Sequence, residues 1–99
     1  MNVMTVRAKI KEENVADAQA ATEKVIQALE QARPADVRYA ASILGDGVTF
    51  IALLEREPGQ DHPLGTFPAY VELVESLKQW YAEPPTVEYM NVIGSYELL

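Results

Sequence analysis

The stretch VTFIALL, residues 48–54, decides the fold of this 99-residue chain. A β-strand directs successive side chains to opposite faces of its sheet. Both faces of this strand are largely apolar, so both are expected to be covered. The two helices that such a short chain can supply cover one face, and a second copy of the chain is expected to cover the other. One face carries Val48, Phe50, Ala52 and Leu54, and the other carries Thr49, Ile51 and Leu53.

The segment before this stretch predicts a β-hairpin. Strands over Val37–Leu44 and Val48–Arg56 are joined by GDG at residues 45–47. An Asp-Gly pair suits the two left-handed positions of a type I′ turn. With Asp46 and Gly47 as the loop, Ile43 pairs with Phe50, Ala41 with Ala52, and Tyr39 with Leu54. A three-residue loop would shift this register by one residue.

Two helices and two more strands surround the hairpin. Alternation of apolar and polar residues predicts a strand over Met4–Lys11, and Val87–Leu99 predicts the last strand. Helical spacing predicts helices over Asn14–Arg33 and Phe67–Tyr81, with Pro68 in the first turn of the second. With right-handed crossovers this order gives the α+β ferredoxin-like arrangement βαββαβ, a four-stranded antiparallel sheet with both helices on one face.

This register gives the sheet two different faces. The helix side is expected to hold Met4, Val6, Ala8, Ile10, Val37, Tyr39, Ala41, Ile43, Phe50, Ala52 and Leu54. The far side is expected to hold Ala40, Leu44, Ile51, Leu53, Met90 and Val92, together with the charged Arg7, Lys9, Arg38, Glu55 and Glu88. A partly polar face suits a subunit interface better than an intrachain core.

Composition narrows the classes of partner. The length predicts one domain over residues 1–99, and 48% hydrophobic residues argue against disorder. A net charge of −7, from 15 acidic and 8 basic side chains, argues against nucleic acid and against an anionic membrane surface. No apolar run reaches the roughly 20 residues of a membrane span. The absence of cysteine fits a cytoplasmic protein.

The chain resembles the dimeric α/β-barrel group, near the antibiotic-biosynthesis-monooxygenase-like and stress-responsive barrel proteins of bacteria. Its topology and size carry the resemblance, together with LKQWYAEPP at residues 77–85 and the strand ending VIGSY at residues 92–96. The resemblance implies a homodimer in which two sheets pack face to face as a barrel. It also implies a pocket between each sheet and its own helices.

Two departures from that group concern its chemistry. Many monooxygenase-like members carry a Trp shortly after a Glu at the end of the third strand, whereas Glu55 and Arg56 have no Trp after them. The second helix has no His that could serve as an axial haem ligand. We therefore expect no cofactor.

His62 is the candidate catalytic residue, although a solvated loop histidine is the plainer interpretation. It is the only His, which argues against any metal site built on two His. It lies in a loop rich in Gly and Pro, where it could act as a general base at a pocket mouth.

Five residues are candidates for binding a ligand. The aromatic ones could line a pocket between helices and sheet, or could be ordinary core residues. Asn91 interrupts an apolar strand, and a buried amide there would bond either the backbone or a ligand. The five are Tyr39, Phe50, Tyr70, Trp80 and Asn91.

Two functions remain open at this point. The first is a small homodimeric domain that binds a small apolar molecule or serves in assembly. The alternative is a cofactor-independent monooxygenase or isomerase acting on an apolar aromatic substrate, with His62 moving a proton. A regulatory amino-acid-binding domain is a third possibility, although such domains usually accompany a catalytic domain.

Overall fold

The structure of this protein is a computed structural model that describes residues 1–57 and 59–98. Four strands and two helices follow one another in the predicted order. They are β1 (Asn2–Lys9), α1 (Val15–Ala32), β2 (Tyr39–Ile43), β3 (Thr49–Glu55), α2 (Pro68–Trp80) and β4 (Thr86–Asn91). The antiparallel strands form one sheet in the order β2-β3-β1-β4, which is the ferredoxin-like topology.

The helix boundaries follow local sequence signals. Helix α1 ends where Arg33 adopts a left-handed conformation, directly before Pro34, because a residue that precedes proline is disfavoured in the helical region. Helix α2 begins with Pro68 at its first position, where a missing N–H costs nothing.

The register of the hairpin is confirmed, but its turn type is not. Tyr39 is opposite Leu54, and Ile43 is opposite Phe50, as predicted. The turn is not type I′, because Gly47 has a positive φ of 79° whereas Asp46 does not. The Asp46 carboxylate instead accepts hydrogen bonds from the Thr49 hydroxyl and from two backbone N–H groups. These bonds, the Thr49 hydroxyl first among them, lower the pKa of Asp46 to about 2.

The helix side of the sheet forms the core, as predicted. Phe50 and Ala52 of β3 pack with Ala18 and Val25 of α1 and with Leu73 of α2. A second cluster, made of Met4, Leu54 and Leu64, lies at the end of the sheet where the loop before α2 folds over it. The chain therefore covers this face by itself.

The far side of the sheet is less completely covered. Val3 of β1 lies on the far side and is only 1% exposed. Leu98 lines a groove of about 300 Å³ on this side, together with Val3 and Leu53. The C-terminal segment therefore reaches the face that a second copy of the chain was expected to cover. Ile93 and Leu98 themselves are 99% and 84% exposed, so much apolar surface stays open.

The last strand is shorter than predicted. Strand β4 ends at Asn91, whereas the prediction ran from Val87 to Leu99, the last residue of which lies outside the described residues. Its ladder with β1 closes where the Val92 N–H donates to the Met1 carbonyl. No neighbouring backbone continues the ladder in the described part of the chain, so residues 92–98 leave the sheet.

Candidate functional site

A cavity of about 310 Å³ lies between α2 and the helix side of the sheet. Its walls are almost entirely apolar, and its volume is near the lower limit of about 300–1,000 Å³ for small-molecule sites. It opens toward β4, where Val87 is 53% exposed although it belongs to the inner row of the sheet. The lining residues are Val6, Tyr39, Phe50, Ala52, Tyr70, Leu73, Val74, Leu77, Lys78, Tyr81, Pro85 and Val87.

Three tyrosines and Lys78 supply the polar groups of this cavity, and the Lys78 ammonium pairs with Glu75 at 2.9 Å. Tyr39 comes from β2, Tyr70 from the first turn of α2, and Tyr81 from the residue that follows α2. The rings of Tyr39 and Tyr70 meet edge to face, with centroids 6.0 Å apart. Phenols in apolar surroundings supply hydrogen-bond donors that can fix the orientation of a ligand.

All three phenols stay protonated near neutral pH. Burial raises the pKa of Tyr39 far above its usual value of 10.0, with smaller contributions from the other two phenols. Burial also raises the pKa of Tyr70 and of Tyr81. Among the described residues, the hydroxyls of Tyr39 and Tyr81 have no hydrogen-bond partner. Two donors at the cavity are therefore available to a ligand.

His62 lies beside Tyr70 and bonds to the chain through both ring nitrogens. Its Nδ1 accepts the Leu64 N–H at 3.1 Å, and its Nε2 lies 3.2 Å from the Tyr70 hydroxyl. Burial, and then the charge of Arg56, lower the pKa of His62, so the ring is neutral at pH 7. A neutral ring that accepts at Nδ1 carries its proton on Nε2. His62 therefore donates to Tyr70, and the Tyr70 proton stays free to bond elsewhere.

The structure brings four of the six candidate residues together. Tyr39, Phe50 and Tyr70 line the cavity, and His62 lies behind Tyr70. Trp80 packs against the core at the groove between α1 and α2 and does not line the cavity. Asn91 is exposed at the end of β4, opposite Asn2, so the expected burial of its amide is wrong. An edge strand that no helix covers leaves both of its faces open.

Two residues near the cavity were not among the sequence candidates. Tyr81 entered the sequence analysis only as the last residue of the predicted second helix, although a phenol beside a predicted pocket was a usable signal. Arg56 entered the sequence analysis only as the end of the third predicted strand, but the even-numbered row of β3 that carries Phe50 and Leu54 leads to it. That alternation could have placed Arg56 on the helix side of the sheet.

Within residues 1–57 and 59–98, no three His, Asp or Glu side chains lie together in a way that could hold a metal ion. No helix in the same part of the chain is long and apolar enough to cross a membrane.

The fold has clear counterparts among solved structures. A candidate antibiotic biosynthesis monooxygenase from Nitrosomonas europaea superposes with a TM-score of 0.76 at 18% identity, over 95% of this chain and all of that one. A monooxygenase from the gene ActVA-Orf6 of Streptomyces coelicolor, in complex with nanaomycin D, gives 0.68 at 18% identity, over 96% of this chain and 89% of that one. SnoaB, a cofactor-independent oxygenase from Streptomyces nogalater, superposes with a TM-score of 0.65 at 11% identity, over 97% of this chain and 96% of that one.

Comparisons of sequence find no counterpart. No protein-family profile matches the chain, and no curated protein matches it. Identities of 11–18% to the three structures establish a common fold and no more. Over nearly its whole length, the chain has the ferredoxin-like fold of antibiotic biosynthesis monooxygenase-like proteins.

Proposed function

We propose that this protein binds a small, largely apolar aromatic molecule in the cavity between α2 and the sheet. The observation that supports the proposal is a cavity with apolar walls, in which the hydroxyls of Tyr39 and Tyr81 have no hydrogen-bond partner among the described residues. Neither hydroxyl oxygen is fully buried, so a ligand oxygen that enters the cavity can reach both and accept a hydrogen bond from them. The volume suits a compound of two or three fused rings.

The ligand is expected to carry oxygen acceptors near its edges. The Tyr70 proton is free because His62 donates to its oxygen, so Tyr70 can donate to a carbonyl or phenol of the ligand. Val74 and Val87 are accessible in the cavity and offer apolar surface to the rings. Burial of that surface contributes roughly 25 cal/mol per Å² of apolar area.

We also propose that each chain, as one domain over residues 1–99, pairs with a second copy through the far side of its sheet. Leu44 and Met90 are 38% and 41% exposed there, and Ile51 and Leu53 are partly exposed. The Arg38–Glu55 ion pair at 3.4 Å gives this face a polar edge. A cytoplasmic location stays a prediction.

A pair of variants on α2 tests ligand binding. Val74 lines the cavity, whereas Val71 lies on the exposed side of the same helix. With 2-naphthol as the probe in calorimetry, Val74→Phe should abolish binding because the added ring fills the cavity, and Val71→Phe should leave it unchanged. If Val74→Phe does not fold, Val87→Phe at the open mouth takes its place. Equal binding by the cavity variant and the wild type would refute the site.

A second candidate function is a cofactor-independent monooxygenase, because SnoaB, a cofactor-independent oxygenase, has the same fold. Such chemistry converts an anthrone and O₂ into an anthraquinone and water. The methylene carbon loses two hydrogens, one oxygen atom becomes the new carbonyl, and the other leaves as water. Donors at Tyr39, Tyr70 and Tyr81 would stabilise the enolate that forms when the carbon loses its first proton. Proton transfer by His62 stays a prediction, since its Nδ1 already accepts a backbone N–H.

Oxygen uptake in the presence of anthrone separates the two functions. An enzyme should consume one O₂ for each anthraquinone formed, at a rate that Tyr70→Phe lowers and His62→Ala alters. A rate equal to the buffer background, with anthrone bound in the cavity, would leave ligand binding as the function and exclude this reaction.

A further inference from the structure

His62 is held by a pair of hydrogen bonds that only its neutral ring can make. Its Nδ1 accepts the Leu64 N–H at 3.1 Å, and its Nε2, which carries the ring proton, lies 3.2 Å from the Tyr70 hydroxyl oxygen. An imidazolium carries a proton on both nitrogens and accepts no hydrogen bond. Protonation of His62 would therefore set two donors, Nδ1–H and the Leu64 N–H, against each other.

The backbone around Leu64 is fixed by other contacts. The Leu64 side chain is fully buried, in a cluster with Met4 and Leu54. The Gly65 N–H donates to the His62 carbonyl at 3.0 Å, which closes the turn that carries the ring. Among the described residues, the Leu64 N–H has no acceptor besides the His62 ring. Because Leu64 is anchored in the core, a protonated ring has to leave this N–H.

The groups that surround the ring also favour its neutral form. Burial, and then the charge of Arg56, lower the pKa of His62. Arg56 is tied to the same loop, because its Nη2 donates to the Gln60 carbonyl at 3.1 Å. The other titratable group against the ring is Tyr70, which stays uncharged since burial raises its pKa. No carboxylate in the described part of the chain pairs with the ring, although Asp61 is its neighbour in sequence.

Tyr70 connects His62 to the cavity. It lines the cavity, and its ring centroid lies 5.0 Å from that of His62. A phenol oxygen that accepts from His62 has to direct its own proton away from the ring, which leaves that proton for a ligand. Once the ring has left, the Tyr70 hydroxyl can rotate and its proton is no longer directed. The contacts of His62 therefore decide how Tyr70 presents its donor.

We propose that His62 is a positioning residue that acts through Tyr70, and that its protonation weakens ligand binding, so that this protein holds its ligand near neutral pH and releases it in acid. This inference rests on the proposed ligand-binding function and adds its regulation by pH. Since only the neutral ring fixes the Tyr70 donor, the ligand-bound form holds fewer protons than the free form. The affinity should be full above pH 6.5 and fall as the pH drops through the lowered pKa of His62.

Calorimetry with 2-naphthol at pH 7.5 and pH 5 tests the proposal, because this probe is uncharged at both values. We expect the wild type to bind at least about threefold more weakly at pH 5, as the loss of one hydrogen bond would give. His62→Asn is the matched variant, because an Asn side chain can accept the N–H two residues on and does not titrate. Its affinity should be the same at both pH values. If His62→Asn does not fold, His62→Gln takes its place.

Two further measurements assign the effect to the predicted contacts. Tyr70→Phe should remove most of the pH dependence, because the ring acts through this hydroxyl. In ¹H–¹⁵N NMR spectra without probe, the Leu64 amide should shift with the same midpoint as the His62 ring. A Leu64 amide that does not follow the titration of the ring would overturn the proposal whether or not a ligand binds.

The outcomes separate this inference from the function on which it rests. Equal affinity of the wild type at both pH values, or a loss at pH 5 that persists in His62→Asn, would overturn the inference and leave ligand binding intact. If 2-naphthol does not bind at pH 7.5 at millimolar concentration, the proposed function is refuted, and the inference with it.

Discussion

The two faces of this sheet carry similar apolar residues but differ in how they are covered. On the helix side, Leu54 is 2% exposed beneath the loop before α2, and the chain supplies every layer. On the far side, its neighbour Leu53 stays partly exposed, and Leu98 of the C-terminal segment reaches only the groove that Val3 and Leu53 line. A face that its own chain completes can hold a cavity for a ligand, whereas a face left open is a surface for another molecule.

The largest expected effect is on the free energy of unfolding, and it comes from Leu54, the buried residue of the adjacent pair Leu53 and Leu54. Leu54→Ala should lower the free energy of unfolding by roughly 2–5 kcal/mol, because it leaves a cavity in a core that cannot fully collapse. Leu53→Ala should cost clearly less at equal protein concentration. Urea unfolding followed by circular dichroism, at several protein concentrations, measures the loss of stability in both variants. Equal losses would mean that the two faces are equally buried and would break the comparison.

The second prediction concerns association through the far side. Leu53→Glu should raise the dissociation constant of the dimer at least tenfold, because a charge would be buried against the second sheet. A tenfold change corresponds to about 1.4 kcal/mol of binding free energy. Glu30→Lys, on the exposed surface of α1, is the control and should leave the constant unchanged. Sedimentation velocity at micromolar concentration distinguishes the outcomes. A wild type that stays monomeric there would end the dimer proposal.

The fold could be predicted from sequence because it depends on alternation and on local signals. The period of two in residues 48–54 and the GDG turn set the register, and Pro34 and Pro68 marked helix ends. The extent of β4 could not be predicted, because a strand ends where its partner does, and that depends on the whole sheet.

The candidate site was only partly accessible from sequence. Aromatic type and strand parity pointed to Tyr39, Phe50 and Tyr70. The burial of Asn91 was wrong, because its apolar neighbours suggested a covered strand, whereas β4 is an exposed edge. The role of His62 depends on which atoms its nitrogens meet, and no sequence pattern encodes the contacts with Leu64 and Tyr70.

A third prediction isolates the phenol at the polar end of the cavity. Tyr70→Phe should weaken binding of 2-naphthol by roughly 0.5–1.5 kcal/mol, about three- to tenfold, because one hydrogen bond to the ligand is lost. Tyr96→Phe is the matched control, since that phenol lies on the C-terminal segment and is 87% exposed. An unchanged affinity in Tyr70→Phe would remove Tyr70 from the site.

The smallest effect is a dependence of stability on pH through His62. Its pKa is lowered below 6.5 in the folded chain, so between the two values the unfolded state binds more protons. The contribution of His62 is therefore present above pH 6.5 and is lost as the pH falls through the folded value. The difference in urea midpoint between wild type and His62→Gln should shrink from pH 7 to pH 5. A difference that grows would show that the protonated ring is favoured.

The most direct test of the account is an NMR titration of the ¹⁵N-labelled protein with 2-naphthol. If the covered face is the ligand site, the amides of Tyr70, Leu73 and Val87 should shift in saturable fashion, while those of Ser42 and Ile51 on the far side stay in place. Shifts confined to the far side, or none at saturating probe, would contradict the assignment of ligand binding to the helix side of the sheet.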